Sequence, residues 1–281
     1  MNIGFIVDRR YLRQEMPRAV LRVFAAWGVH ADVIAPQGCR FEASAGIVRS
    51  EDGAEVNLNR YDVLVARNRC HLGLAMLAYA EDAGIPAINT HDSTQRVRNK
   101  ARMAVALTHG GVPCAPTYLA DDVAALAELP RRCFPLILKA TYGDNSQGLR
   151  LIRHPEDLRD IHWGEDLVLA QCYLPNDGFD LKLYVCGSTV VGVRKPSPFN
   201  GDPRAPHRLV DLDAGQVDLA RRCGAIFGLE IYGVDTIETP DGPAVIEVNE
   251  FPNFTGVPGA AELIADYILS RVGAQPRAVA A

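Results

Sequence analysis

Two carboxylates and one side-chain amide near the end of the chain have the types and spacing of a metal site. Asp235 lies on the first arm of a predicted hairpin over residues 232–250, and Glu247 and Asn249 lie on the second arm. Residues two apart on a strand project from one face, and pairing across the intervening Asp-Gly turn brings Asp235 level with them. Such oxygen donors suit Mg²⁺ or Mn²⁺ that also binds nucleotide phosphates. The alternative is a solvated outer face, which the apolar flanking residues disfavour.

A second group of residues has the character of a phosphate-binding loop. Lys139 ends an apolar predicted strand, and the loop 141–148 follows it, with Gly143 and Gly148 towards its two ends. Glycine permits backbone conformations that bring amide groups close to an anion. The loop is not a Walker A motif, because no Gly-Lys-Ser/Thr sequence and no helix follow it. A plain hairpin loop is the alternative, but a lysine that ends an apolar strand needs a partner for its charge.

The elements that position these residues change character along the chain. The first third alternates short apolar runs with helical patterns and carries a hairpin signal at Asp52-Gly53, which predicts an open parallel α/β domain. A single helix is predicted over residues 93–110. From about residue 112 onward, paired apolar runs joined by short polar turns predict mainly antiparallel sheets.

Composition excludes several classes of protein. The chain has 281 residues, 48% of them hydrophobic and 22% charged, and a formal net charge of −5. That charge argues against general nucleic-acid binding, which needs a basic surface. No apolar stretch approaches the ~18 residues of a membrane span, and no signal-like segment opens the chain, so we expect no membrane partner. The seven cysteines form no CxxC pair, so we expect reduced thiols and a cytoplasmic location.

Only four of the 29 basic residues are lysines, namely Lys100, Lys139, Lys182 and Lys195. These lysines, the loop and the hairpin occur in an order that resembles the ATP-grasp superfamily over about residues 89–272. Residues 171–174 resemble its adenine hinge, with Cys172 where the family commonly has Glu. Residues 178–182 resemble its GxDxR segment, with Lys182 in place of Arg. The metal ligands that the resemblance implies are Asp235, Glu247 and Asn249. The nucleotide-binding residues that it implies are Lys100, Lys139, Gly143, Ser146, Gln147, Gly148, Gln171, Tyr173, Leu174 and Asp180.

The resemblance implies an ATP-grasp fold of mixed α/β and α+β class behind an N-terminal open parallel α/β domain. We expect the N-terminal domain over residues 1–88, a central subdomain with the lid loop over 89–172, and a C-terminal subdomain with the metal site over 173–281. The N-terminal domain is expected to form part of the acceptor side of the cleft. Arg67 follows a strand there, where RimK-like ligases often have an arginine; an ordinary surface arginine is the alternative.

Within the superfamily, the chain is most similar to RimK-like carboxylate–amine ligases, which form an acyl phosphate from a carboxylate and ATP and pass the acyl group to an amine. The catalytic candidates are Arg194, Lys182 and Lys195. If the turn near Gly187 is centred on that residue, Lys182 pairs near position 192, and Arg194 shares its face. We therefore expect Arg194 to hold the substrate carboxylate in the cleft and Lys195 to lie at its edge.

The alternative is an ATP-grasp small-molecule kinase of the inositol-polyphosphate kinase type. The stretches 181–187, 193–200 and 248–254 resemble those enzymes, and Arg204, His207 and Arg208 could join Arg194 and Lys195 in a cationic pocket. The sequence pI of about 5.8 disfavours a polyphosphate site. A non-catalytic adenylate-binding module is a third alternative, which the intact metal triad disfavours.

The ligase interpretation implies ATP and Mg²⁺ or Mn²⁺ as cofactors. Its partners are small-molecule or peptide carboxylates and amines, with no nucleic acid and no membrane. A homo-oligomer is compatible with the sequence.

Overall fold

The computed structural model describes residues 1–143 and 148–273. Ser146 and Gln147, both predicted to bind nucleotide, therefore lie outside the described residues. The N-terminal elements are, in chain order, β1 (Ile3–Val7), α1 (Glu15–Ala26), β2 (Ala31–Ile34), β3 (Arg40–Glu42), β4 (Ile47–Arg49), β5 (Glu55–Asn57), β6 (Val63–Arg67), α2 (His71–Asp82) and β7 (Ala87–Ile88).

The N-terminal unit is built on a parallel sheet with the strand order β2-β1-β6-β7. Every residue of β1 and β6 is buried, as expected for parallel strands that are covered on both faces. Strands β3, β4 and β5 form a separate antiparallel sheet, in which the predicted turn at Asp52-Gly53 joins β4 to β5. The predicted parallel α/β architecture is therefore confirmed.

A four-stranded antiparallel sheet with the order β10-β9-β11-β8 follows. The elements of this part are α3 (His91–Arg98), α4 (Lys100–His109), β8 (Thr117–Ala120), β9 (Leu136–Lys139), β10 (Arg150–Ile152) and β11 (Val168–Cys172). The prediction of one helix over 93–110 is wrong. Asn99 adopts an extended backbone conformation between α3 and α4, and its side chain accepts a hydrogen bond from the backbone N–H of Arg102 as the N-cap of α4. Lys100 is consequently the first residue of a new helix.

The C-terminal part forms a five-stranded antiparallel sheet with the order β14-β13-β12-β15-β16. Its elements are β12 (Phe179–Cys186), β13 (Thr189–Pro196), β14 (Arg208–Val210), α5 (Ala214–Phe227), β15 (Ile231–Thr239), β16 (Gly242–Glu250) and α6 (Ala260–Arg271). One face of this sheet packs against α4 and α5. The opposite face meets the core of the N-terminal unit and α6 at one end and carries polar side chains at the other.

The pairing of β12 with β13 differs by one residue from the prediction. Lys182 lies opposite Val193, Leu181 opposite Arg194, and Asp180 opposite Lys195. Cys186 pairs with Thr189, so the turn has two central residues and is not centred on Gly187 alone. Because a shift of one residue exchanges the faces of a strand, Lys195 shares the face of Lys182, and the prediction that Arg194 does so is wrong.

Within residues 1–143 and 148–273, no helix combines the length and the apolar composition needed to cross a membrane.

Candidate active site

The predicted metal-binding side chains meet on the polar face of the five-stranded sheet. Asp235 on β15 lies opposite Glu247 on β16, and Asn249 donates a hydrogen bond to Oδ2 of Asp235 at 2.8 Å. A β-bulge in β16 brings Asp235 and Glu247 opposite each other. Thr236 pairs with Val245, so Ile246 is an extra residue that shifts the register between the turn and the site. The expected one-face geometry is present, and the role of these residues as metal ligands stays a prediction.

Asp235 is the centre of the charge network on this face. It is buried, and each of its oxygens meets a separate ammonium group: Oδ1 forms an ion pair with Lys195 at 2.6 Å, and Oδ2 accepts a hydrogen bond from Lys182 at 2.9 Å. Burial alone would raise the pKa of Asp235, but the two lysines hold that pKa well below its usual range. Burial likewise opposes the charge of Lys195, but Asp235 outweighs it and raises the pKa of Lys195 above its usual value. Asp235 and Lys195 therefore both stay ionised at neutral pH.

Lys100 connects the second carboxylate to the predicted phosphate-binding loop. Its buried ammonium donates to Oε1 of Glu247 at 2.6 Å and to the backbone carbonyl of Gly143 at 2.9 Å. The break at Asn99 allows this contact, because it starts α4 beside the loop, where the backbone N–H of Lys100 donates to the carbonyl of Thr141.

Lys139 lies deeper, at the end of β9. Its ammonium is buried and donates to Oε1 of Gln171 on β11. Burial lowers the pKa of Lys139 to about 8; Glu247 opposes this effect and Lys100 adds to it. The amide nitrogen of Gln171 in turn donates to the hydroxyl of Thr117 at 3.3 Å. The side chain of Gln171, a predicted hinge residue, is thus directed at Lys139 and holds its ammonium.

A cleft between the sheet β10-β9-β11-β8 and the five-stranded sheet contains most of the predicted nucleotide-binding residues. It encloses about 870 Å³ including its open mouth. The predicted residues that line it are Lys100, Lys139, Gly143, Gln171, Tyr173, Leu174 and Asp180. Gly148 is described, with a φ of +75° that favours glycine. Burial raises the pKa of Asp180, an effect that Lys195 partly offsets. Sequence reasoning missed the apolar walls Ile137, Leu149, Phe199 and Ile246, because an apolar residue facing a cleft has the same pattern as one facing a core.

A second cleft lies on the N-terminal side of the same charged face. Arg67 and Arg69 line it together with Lys182 and Lys195. Arg67 is buried, donates to the carbonyl of Phe251 and the side-chain oxygen of Asn253, and stacks over the ring of Tyr11 at 4.7 Å. It therefore ties the N-terminal unit to the segment after β16, and the alternative of an ordinary surface arginine is wrong.

Lys195 lines both clefts, and Arg194 lines neither. Arg194 stacks over the ring of Phe179 at 4.7 Å and pairs with the exposed Asp177. The expectation that Arg194 faces the cleft and Lys195 lies at its edge is therefore wrong. The observed register of β12 and β13 differs by one residue from the predicted one, so Lys195 faces the clefts and Arg194 points to the other face of the sheet.

The cation cluster of the kinase alternative is only partly assembled. Arg208 lies opposite Arg194 in the sheet, on the face away from Lys195. Arg204 is exposed and lines neither cleft, whereas His207 lines the second cleft.

The donor set fits a hard divalent cation. Within residues 1–143 and 148–273, no three His, Cys, Asp or Glu side chains cluster as metal ligands. The predicted donors are the two carboxylates and the side-chain amide of Asn249. All three groups offer oxygen, which Mg²⁺ and Mn²⁺ prefer.

Comparison with solved structures identifies the architecture as the ATP-grasp fold. The RimK domain ATP-grasp protein of Sphaerobacter thermophilus DSM 20745 superposes with a TM-score of 0.72 at 21% identity, over 96% of this chain and all of that one. The ATP-grasp ligase PsnB, in complex with a minimal precursor, Mg and ADP, gives a TM-score of 0.73 at 17% identity, over 96% of this chain and 97% of that one.

Sequence comparison identifies the family. The model of the RimK-like ATP-grasp domain matches residues 97–268. A probable alpha-L-glutamate ligase of Haemophilus influenzae (strain PittEE) is 27% identical over 92% of this chain and 95% of its own length. One of Legionella pneumophila (strain Corby) is 26% identical over 85% of this chain and 84% of its own. The chain belongs to the family of RimK-like ATP-grasp enzymes.

Proposed function

We propose that the protein is an ATP-dependent carboxylate–amine ligase that works through an acyl phosphate and releases ADP and phosphate. The observation that carries this proposal is that two clefts meet at one charged face, with Lys195 lining both. A ligase must bring the γ-phosphate of a nucleotide to a carboxylate that is bound separately, and this arrangement supplies a binding space on each side of the reacting groups.

The first cleft is the proposed nucleotide site. Its apolar walls suit a base, and the predicted hinge residues Tyr173 and Leu174 line it. Lys100 and Lys139 would contact the phosphates, which would replace Glu247 and Gln171 as their present partners. Asp235, Glu247 and Asn249 would hold Mg²⁺, which neutralises developing phosphate charge when bound.

The second cleft is the proposed site of the carboxylate substrate. Among the described residues that line it are four Arg or Lys side chains and one Glu, a balance that suits an anionic substrate. This charge and the names of the relatives support glutamate, or a peptide with an acidic side chain, as the substrate.

The chemistry follows from this placement. A carboxylate oxygen of the substrate attacks the γ-phosphorus, and the bond from that phosphorus to the bridging oxygen of ADP breaks. The amine nitrogen then attacks the acyl carbon, the bond from carbon to the phosphate oxygen breaks, and the amine releases a proton. Lys182 and Lys195 would neutralise charge on the transferring group, and positioning by the two clefts accounts for much of the catalysis.

The kinase alternative has little support. Arg194 and Arg208 lie on the opposite face of the sheet from Lys195, so they cannot contribute to a polyphosphate pocket there.

The test is ADP release with L-glutamate and a panel of amines and short peptides, with mass spectrometry of the products. We expect an amide that forms only when ATP, the carboxylate and the amine are all present. A stable phosphate ester that forms without an amine would contradict the proposal.

The neighbouring residues 194 and 195 offer a matched pair of variants. Lys195→Met should lower turnover by about 100-fold, whereas Arg194→Met removes a cation that lines neither cleft and should change it less than about twofold. Equal losses in the two variants would contradict the assignment of the faces.

A further inference from the structure

Gly233 lies on β15 at the centre of the charged face, with Tyr184 on one neighbouring strand and Asn249 on the other. A β-carbon at this position would lie 2.9 Å from Cε of Lys182 and 3.1 Å from Cγ of Pro252. Gly233 is in regular strand conformation, without a positive φ. The reason for glycine is therefore space, and the space is filled by the side chain of Lys182.

The contacts of Asp235 explain why the side chain of Lys182 lies over Gly233. Lys195 approaches its Oδ1, while its Oδ2 accepts from both Asn249 and Lys182. Since Asn249 lies directly opposite Gly233, Oδ2 is on the side of Asp235 that faces Gly233. Lys182 lies directly opposite Asp235 on β12, and its stem reaches Oδ2 by leaning over Gly233, which has no side chain.

We propose that Gly233 is a positioning residue that leaves room for the stem of Lys182 and so directs its ammonium from β12 to Oδ2 of Asp235 on β15. This inference rests on the proposed function, because it assigns to Lys182 a task on the substrate side. Lys182 lines the second cleft and not the nucleotide cleft. Gly233 thus fixes an ammonium group where the substrate carboxylate and the transferring phosphate would meet.

A double-mutant cycle of Gly233→Ala and Lys182→Ala tests the proposal. Each single variant should lower kcat/KM for the carboxylate substrate by about tenfold or more, since each removes a charge-assisted hydrogen bond. The KM for ATP should change little. The double variant should be no slower than Lys182→Ala alone, because the alanine acts through a side chain that is no longer there. Additive losses would overturn the proposal, because they would mean that the Gly233→Ala variant loses activity through its contact with Pro252 and not through Lys182.

The structure of the Gly233→Ala variant gives a second readout, which does not depend on ligase activity. We expect Nζ of Lys182 beyond hydrogen-bond distance of Oδ2 of Asp235, with β15 unchanged. An intact contact would overturn the positioning role even if the enzyme proves to be a ligase, and a displaced lysine would support it even if no ligase substrate is found.

Gly164→Ala is the matched control, since a β-carbon there meets no atom within 4 Å and the residue has no positive φ. If Gly233→Ala folds poorly, the Gly233→Ala/Pro252→Ala variant relieves the second contact. In that background, the position of Nζ of Lys182 in the structure and the double-mutant cycle with Lys182→Ala test the proposal with the same expected outcomes.

Discussion

Nucleotide binding should weaken at alkaline pH because Lys139 loses its proton there. This buried ammonium has a pKa of about 8, lowered mainly by desolvation, and its hydrogen-bond partner is the neutral side chain of Gln171. The protonated form carries the charge that attracts phosphate. Affinity is therefore nearly full at about pH 7 and falls as the pH rises through about 8. Replacing Gln171 with Glu places a carboxylate at the partner position and should move this loss to higher pH.

The size of the effect follows from the pKa. One unit above a pKa of about 8, about one in ten side chains is still protonated, so the affinity for ADP should fall by about tenfold between pH 7 and pH 9. An opposite charge within hydrogen-bond distance raises the pKa of an ammonium by about 1–3 units. In the Gln171→Glu variant the decline should therefore begin above about pH 9.

Isothermal titration calorimetry with ADP and Mg²⁺ at constant ionic strength measures both curves. The comparison concerns the pH at which affinity declines, because the added carboxylate also weakens phosphate binding at every pH. A wild-type affinity that stays constant from pH 7 to pH 9 would refute the reasoning about Lys139. If ADP affinity declines at the same pH in the Gln171→Glu variant as in the wild type, the role of residue 171 in setting the pKa of Lys139 is refuted.

Three further substitutions have definite expected outcomes. Glu247→Gln should lower ADP release by at least about 100-fold while leaving the circular dichroism spectrum unchanged; near wild-type turnover would mean that the metal site lies elsewhere. Asn99→Ala should lower the free energy of unfolding in urea by about 1 kcal/mol through loss of the α4 cap, whereas Asn99→Asp keeps an acceptor and should cost less. Gly224→Ala should lower the free energy of unfolding by about 1–3 kcal/mol, because the new β-carbon would clash with the hydroxyl of Tyr232; stability equal to wild type would contradict this packing.

The sequence was sufficient to predict the one-face arrangement of Asp235, Glu247 and Asn249, because alternation along a strand and a turn signal constrain the geometry strongly. It could not predict how the two strands align. The bulge at Ile246 adds one residue between the turn and the site, and neither a glycine nor a proline at that position marks it.

The error at Arg194 shows how much depends on a single residue of register. Gly187 and Ser188 together form the turn between β12 and β13, and moving its centre by half a residue exchanges the faces of Arg194 and Lys195. The break at Asn99 was missed for a different reason. The helical pattern continues through it, and the capping role of Asn99 becomes visible only where Lys100 contacts the loop.

The second cleft was largely beyond sequence reasoning. Arg67 was singled out as a candidate, but its partners Gln14 and Asn253 lie 53 and 186 residues away in the chain. Contacts of this separation leave no local pattern, so only the folded structure shows that the N-terminal unit and the segment after β16 form one wall.

Transfer of oxygen from the substrate to phosphate tests the central claim most directly. L-glutamate labelled with ¹⁸O in its carboxyl groups would be incubated with ATP, Mg²⁺ and the amine that supports turnover, and the phosphate analysed by mass spectrometry. An acyl phosphate predicts one ¹⁸O atom in each phosphate released per amide formed. Amide formation with unlabelled phosphate would contradict the acyl-phosphate route on which the proposed ligase function rests.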